Sequence, residues 1–229
     1  MSQLLLEQKE FSTCFMGREV KPGRDAALMR SLYQFRYEVY CNECGFLDGQ
    51  DYPEQIETDE HDMSSSHFAS FNPSAELAGY VRLVRPDAIQ TFPFQNHCVT
   101  LLNGVELPPA AKSAEISRLM VRQDYRRRQP TRTELMDDSP QILLSLYRQM
   151  YEYSLANGIR YWYAAMERSL ARALTRMSFS FRQIGPATDY YGPVAPYVAD
   201  LRELEARLAE FNPALLSWMR SSIAEPVHG

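Results

Sequence analysis

The sequence predicts an α/β or α+β sheet protein built as a single domain over residues 1–229. Three observations predict it. The 229 residues are 45% hydrophobic and 12% aromatic, enough for one sizeable core and too apolar for a disordered chain. Strand-like segments come first and a strand–helix–strand–helix alternation follows. No repeat, low-complexity tract or linker divides the chain.

In chain order, Phe11 to Val20 reads as a strand ended by Lys21-Pro22-Gly23. Asp25 is placed to cap a helix over Ala26–Tyr40, where Leu28, Leu32, Phe35 and Val39 form an apolar stripe. Cys41 to Ser66 lacks periodicity and is rich in acids, so a long loop or short helical turns are expected. Loops of that length in compact domains are often functional. His67–Asn72 and Leu77–Val84 read as a hairpin around Asn72-Pro73-Ser74, and Glu115–Val121 as a further strand. Arg122–Asp138 is again a loop. Ser139 and Pro140 open a helix whose apolar face is Ile142, Leu143, Leu146, Met150 and Tyr153, and Asn157-Gly158 stops it. A buried strand over Ile159–Met166 and a helix over Arg168–Met177 follow. Phe179–Ile184 and Tyr197–Leu201 are the last expected strands, with closing helices over Leu201–Phe211 and Pro213–Ile223.

Charge narrows the function. The formal net charge is −5, yet Arg118, Arg122, Arg126, Arg127, Arg128 and Arg132 cluster with Asp124 as the only acid among them. The acids concentrate instead between Asp48 and Asp62. A nucleic-acid binder would be basic over a whole face, so none is expected as a partner. Arginine forks suit a phosphate or an acidic protein surface, although a solvated charged loop is the ordinary reading of such a run. No apolar run reaches the roughly 18 residues of a membrane helix, so no integral membrane segment is expected. The Met1–Glu10 stretch does not read as a signal peptide, and four scattered cysteines do not read as a disulfide framework. A reduced, cytoplasmic protein is the expectation.

Cys41-x-x-Cys44 has the spacing of redox and zinc sites, but no second CxxC or His-x₃₋₅-His pair accompanies it, so no metal is expected. GxGxxG, GxxxxGK and GxSxG are all missing. Four charged groupings stand out instead: Arg36 in an apolar helix, Asp59 with Asp62, Arg82 inside a strand, and Glu115-Ile116-Ser117-Arg118. Simple alternation places Glu115 and Ser117 on one strand face and Ile116 and Arg118 on the other. Buried charges need partners, so these groups are candidates for one another.

In order, Arg36-x₃-Tyr40-x₅-Phe46, Asp59-x₂-Asp62, Arg82-Leu83 and Glu115-x-Ser117-Arg118 resemble the acyl-homoserine-lactone (autoinducer) synthases. The closer resemblance is to bacterial N-acyl amino acid synthases and the PEP-CTERM/exosortase system-associated acyltransferases. It rests on the stretches Phe35–Cys41, Glu57–Asp62, Ser66–Phe68, Ala114–Leu119 and the tail from Ile184 through Asp189-Tyr190-Tyr191-Gly192-Pro193 to Tyr197. It covers about residues 11–201, with residues 202–229 left as C-terminal helices.

The resemblance implies a GCN5-related N-acetyltransferase (GNAT) fold, a mixed, splayed sheet flanked by helices. It implies transfer of an acyl group from a thioester to an amine, with no permanently bound cofactor and acyl carrier protein or coenzyme A bringing the acyl group. Acetyl-coenzyme A enzymes of this fold carry a glycine-rich pyrophosphate loop after the fourth strand. Here the Arg122–Arg128 run contains no glycine, which favours acyl carrier protein, an acidic partner. Glu115 is the expected general base, with Asp59 and Asp62 beside it as catalytic candidates. Arg36, Tyr40, Phe46, Arg82, Ser117 and Arg118 are expected to hold a small-molecule amine or amino acid. Met120, Val121, Arg122, Arg126, Arg127 and Arg128 are expected to receive the donor, and backbone N–H groups of Arg118–Met120 the oxyanion. Tyr161, Trp162, Tyr163 and Met166 are expected along a tunnel for a medium-to-long acyl chain. A lactone synthase using S-adenosylmethionine, a protein N-acyltransferase and a non-catalytic acyl-carrier binding module are the alternatives.

Overall fold

A computed structural model of the chain describes residues 13–85, 91–126 and 139–221. Strand β1 (Met16–Val20) leads to helix α1 (Ala26–Tyr37), which continues as a π-helical turn over Glu38–Glu43. The expected helix is therefore right in place but loosens at its end. Asp25 occupies the cap position, yet its carboxylate accepts from the Lys21 amide and Arg18 rather than from the helix. The acidic loop that follows holds single 3₁₀ turns at Gly49–Asp51 and Asp62–Ser64. Strands β2 (Ser65–Phe71) and β3 (Leu77–Val84) form the expected hairpin. A short helix α2 (Pro93–His97) has no periodicity long enough to be seen in the sequence. Strand β4 (Ser113–Val121), helix α3 (Ser139–Ala156), strand β5 (Tyr161–Glu167) and helix α4 (Arg168–Arg176) supply the alternation. The expected strand over 179–184 shrinks to β6 (Arg182–Gln183), an unexpected pair β7 (Thr188–Asp189) follows, and β8 runs from Pro193 to Asp200. Helices α5 (Leu201–Phe211) and α6 (Pro213–Arg220) close the described chain.

The strands form one sheet in the order β1-β2-β3-β4-β5-β8-β6, with β7 also paired to β8. Among the described residues every pairing is antiparallel except β4 with β5. That one parallel pair positions the site. Its register runs only from Ser113↔Tyr161 to Ile116↔Ala164, although β4 continues to Val121 and β5 to Glu167. The two strands therefore part halfway and leave a wedge in the sheet.

Helix α1 packs on one face against Ala69, Tyr80 and Met120, and α2 caps the same face through Phe94 and Tyr163. The opposite face carries the larger core, where α3 lies across β1 to β4 with Ile142, Leu146 and Met150 fully buried. Two glycines permit that approach. A Cβ at Gly17 would lie 2.6 Å from the Ser145 carbonyl oxygen, and one at Gly79 would lie 2.6 Å from Ile142 Cγ2. The C-terminal helices cover the same side through Leu204, Leu208, Leu215 and Met219. Among the described residues no helix is long and apolar enough to cross a membrane.

Gly79→Ala is expected to destabilise the fold by about 1–3 kcal/mol through overpacking between β3 and α3. Urea denaturation followed by circular dichroism checks it.

Candidate active site

The wedge between β4 and β5 opens into a cavity of about 500 Å³ whose walls include Glu115, Met120, Met166, Leu170 and Tyr190. Past Ile116 the β5-facing edge of β4 has no strand partner, so backbone groups that a regular sheet would consume face this space.

Strand β4 is itself irregular. Ser117 pairs with Arg82 and Met120 with Tyr80, so Arg118 and Leu119 together oppose the single residue Val81. This is a β-bulge, and Arg118 adopts a left-handed φ of 54°. Simple alternation would turn Arg118 away from Ser117. The bulge instead brings its guanidinium to Asp59, which Arg82 also grips, and to Glu57: Arg118 Nη2 donates to Glu57 Oε1 and Asp59 Oδ2, each at 2.9 Å. The expected face assignment of Arg118 is thereby corrected.

Those contacts belong to a network of three arginines and three carboxylates. Arg36 donates through Nε to Glu57 and through Nη1 to Asp62 at 2.5 Å. Arg82 grips Asp59 with two bonds of 2.6 Å, reaches Asp62 at 2.6 Å and lies 3.4 Å from Ser117 Oγ. Arg36 and Arg82 are completely buried. Burial by itself would raise the carboxylate pKa values, but the adjacent guanidinium groups outweigh it and hold Glu57, Asp59 and Asp62 below the usual range. The mutual partnering suggested by the isolated charges is realised, with Glu57 as a member the charge groupings omitted. Its signal was present, an acid two residues before Asp59, but it sat among seven acids of the same loop.

Glu115 stands apart from this network. It is 3% exposed, opposite Tyr163 across the parallel pair, and its Oε2 accepts the Phe94 amide at 2.9 Å. Burial pushes its pKa up to about 8, against the smaller opposing effects of that amide, Arg82 and Arg118. A carboxyl group poised near neutrality in a cavity is suited to proton transfer.

The remaining expected residues separate into two groups. Tyr40, Phe46, Ser117 and Arg118 line the cavity, as do the donor-side candidates Met120, Val121 and Arg126. Arg36, Asp59, Asp62 and Arg82 lie in the network behind the wall rather than on it. Arg126 is bound to the Val121 carbonyl at 2.7 Å and to Glu43 at 2.5 Å, whereas Arg122 is exposed beside Asp124. Arg127 and Arg128 lie outside the described residues. Of the four side chains expected along a tunnel, Met166 alone lines the cavity. Trp162 is in the core, donating to Ser154 Oγ, and Tyr163 packs on Phe92 and Phe94. Tyr161 lies under the Arg160 guanidinium, at the end of β5 away from the wedge. Strand alternation turns Trp162 to the α3 face, a choice that aromatic content cannot reveal.

His97, Tyr190 and Tyr191 were not among the residues expected at this cavity. All three line it, and their rings continue a chain from Tyr40 through Phe46 to Tyr191, Tyr190 and His97, with centroids 3.7–5.8 Å apart at the ring pairs Tyr40–Phe46, Phe46–Tyr191, Tyr190–Tyr191 and His97–Tyr190.

Residues 35–135 match the family model described as an acetyltransferase (GNAT) domain. The open, mostly antiparallel sheet and its flanking helices make a GNAT-like fold, and the family match over residues 35–135 supports an acyltransferase. Solved structures are similar over most of the chain. The protein TofI, solved in a ternary complex with an inhibitor and MTA, is 18% identical with a TM-score of 0.64, covering 89% of this chain and all of its own. The acyl-homoserine-lactone synthase LasI is 17% identical with a TM-score of 0.64, covering 87% of this chain and 96% of its own. FeeM, an N-acyl amino acid synthase from uncultured soil microbes, is 17% identical with a TM-score of 0.53, covering 86% of this chain and 97% of its own. No curated protein matches the sequence.

Two electrostatic environments of opposite sign predict the pH dependence of stability. The carboxylates of the network have folded pKa values below their unfolded ones, so their contribution is complete above about pH 4 and is lost as pH falls further. Glu115 has a folded value above its unfolded one, so its contribution is complete below about pH 4 and is lost as pH rises towards 8. Glu115→Gln should therefore flatten the loss of stability between about pH 5 and 8 while leaving the acid limb in place. Urea midpoints between pH 3 and pH 9 check both limbs.

Proposed function

We propose that the chain is an N-acyltransferase that moves a medium-to-long acyl group from a carrier thioester to the amine of an amino acid or related small molecule. The observation that carries this reading is Glu115, a buried carboxyl group facing the wedge where β4 and β5 part. A thioester is already reactive, so the protein must deliver a neutral amine in line and stabilise the tetrahedral oxyanion. Glu115 takes a proton from the amine as nitrogen attacks the carbonyl carbon. Backbone N–H groups of the bulged Arg118–Met120 segment are the oxyanion donors, because this stretch of β4 lacks a partner on the β5 side. The apolar walls, with Ile116, Leu119, Met166 and Leu170, accept the acyl chain.

The arginine–carboxylate network is assigned to positioning. It ties the acidic loop to α1, β3 and β4 and holds Arg118, the network member on the cavity wall, in place to meet the acceptor carboxylate. Asp59 and Asp62 act through that arrangement and do not touch the reacting atoms. Acyl carrier protein is the donor that the surface favours. Helix α4, whose Leu170 lines the cavity, displays exposed Arg168, Arg172 and Arg176 at intervals of four residues with no acid inside the helix. An acidic helical carrier complements such a face through steering as well as contact.

Mass spectrometry of a reaction containing the purified chain, acyl-carrier-protein thioesters, free amino acids and S-adenosylmethionine tests the reading, and an N-acyl amino acid is the expected product. A homoserine lactone would assign the acceptor to S-adenosylmethionine instead, and carrier binding without product would overturn the enzymatic reading. Glu115→Gln should lower kcat by on the order of 10²–10⁴-fold while carrier binding survives. In the wild type kcat should rise with pH through about 8 as Glu115 loses its proton. Reversing the charge at Arg126 should raise KM for the carrier thioester, more strongly at low salt than at high salt, as steady-state kinetics in graded salt will show.

A further inference from the structure

An amino acid enters such a reaction as an ammonium and leaves as an amide, so its nitrogen gives up two protons. One ends on the thiol sulfur when the carbon–sulfur bond breaks, and the other goes to solvent. Glu115, buried and held by the Phe94 amide, can carry one proton at a time. The reaction proposed above therefore needs a second acceptor with access to water.

We propose that His97 is that second acceptor. It ends helix α2, the element whose Phe94 amide holds Glu115, and its ring lies on the wall of the same cavity while remaining exposed to solvent. The ring is fixed by stacking on Tyr190, with centroids 3.7 Å apart and planes inclined by 15°. One edge of the molecule thus presents a buried acid–base group and a water-exposed one to a single cavity, through one short helix.

The charges acting on His97 come from Arg118 on β4 and from Glu60 and His61 in the loop before β2, with the Tyr190 ring on its stacked side. Burial against these walls, helped by the positive Arg118, lowers its pKa, so the imidazole is neutral at pH 7 and has a free lone pair. Glu115 and His97 are displaced in opposite directions, the pattern that separates two proton-transfer roles within one site. In the resulting sequence His97 takes the first proton from the entering ammonium and releases it to water. The neutral amine forms the carbon–nitrogen bond, Glu115 takes the second proton, and the tetrahedral intermediate collapses with cleavage of the carbon–sulfur bond. The Glu115 proton then passes to the departing thiolate, which regenerates the carboxylate. No oxidant, metal or further co-reactant is needed.

This inference rests on the N-acyltransferase reading, and a ring-preserving variant distinguishes the two. His97→Phe keeps an aromatic ring against Tyr190 but cannot take a proton. With dodecanoyl-acyl carrier protein and a pool of free amino acids, product formation is followed by mass spectrometry between pH 6 and 9. The expected result is a fall in kcat on the order of 10²-fold at pH 7, an unchanged KM for the carrier thioester, and partial recovery on adding imidazole. The variant should melt at the wild-type temperature, since the side chain is exposed. Wild-type kcat in His97→Phe across this range overturns the role of His97 while leaving the acyltransferase reading intact. A loss that appears in KM, or that imidazole does not restore, overturns it too, because the ring would then matter for shape alone. A wild-type chain that transfers no acyl group overturns both.

Discussion

Three guanidinium groups and three carboxylates, most of them removed from water, hold the acidic loop against the sheet, and the site depends on that arrangement. The loop before β2 is poor in apolar side chains and could not be secured by hydrophobic burial. It is secured by charge instead: Glu57 and Asp62 reach Arg36 of α1, Asp59 and Asp62 reach Arg82 of β3, and Glu57 and Asp59 reach Arg118 of β4. Replacing such a network by apolar residues of similar volume can leave a fold as stable as before, whereas removing one member strands a buried charge. Its value here is geometric. It defines where the loop, α1 and the bulge of β4 meet, and so where Tyr40, Phe46 and Arg118 stand around the cavity.

The second constraint is the parting of β4 and β5. A parallel pair that separates after four paired positions exposes backbone polar groups, a cost that a closed sheet avoids. The gap is the cavity itself. Its apolar walls suit an acyl chain, and at the point where the strands part stands Glu115, whose burial raises its proton affinity. The same geometry thus provides a binding slot, unpaired backbone donors and a titratable group within one wedge. Helix α2 joins these parts, since its Phe94 amide steadies Glu115 and its last residue, His97, reaches water.

Much of the fold was legible in the sequence. The hairpin β2–β3 announced itself by alternating apolar positions around Asn72-Pro73-Ser74. Helix α3 was readable from Ser139-Pro140 at its start, its apolar face and Gly158 beyond its end, where φ is 68°. Of the candidate site, Glu115 and the charges of Arg36, Asp59, Asp62, Arg82 and Arg118 were legible because a charge inside an apolar strand or helix needs an explanation. The bulge at Arg118 was not, since alternation is the only signal a strand offers and the bulge breaks it without a glycine. Helix α2 is too short to show a period, and Tyr190, Tyr191 and His97 lie in irregular segments whose position depends on what they pack against.

The sequence by itself determined the periodicities, the stopping points and which residues carry charge where charge is costly, because these follow from local backbone geometry and from the chemistry of single side chains. Only the tertiary structure decided which charges meet, which aromatic side chains turn to the core rather than the cavity, and that His97 shares a wall with Glu115. Those outcomes depend on contacts between segments far apart in the chain, such as Arg118 with Glu57 or His97 with Tyr190. A one-residue change of register, as at the β4 bulge, is enough to redirect a side chain, and no local pattern records it.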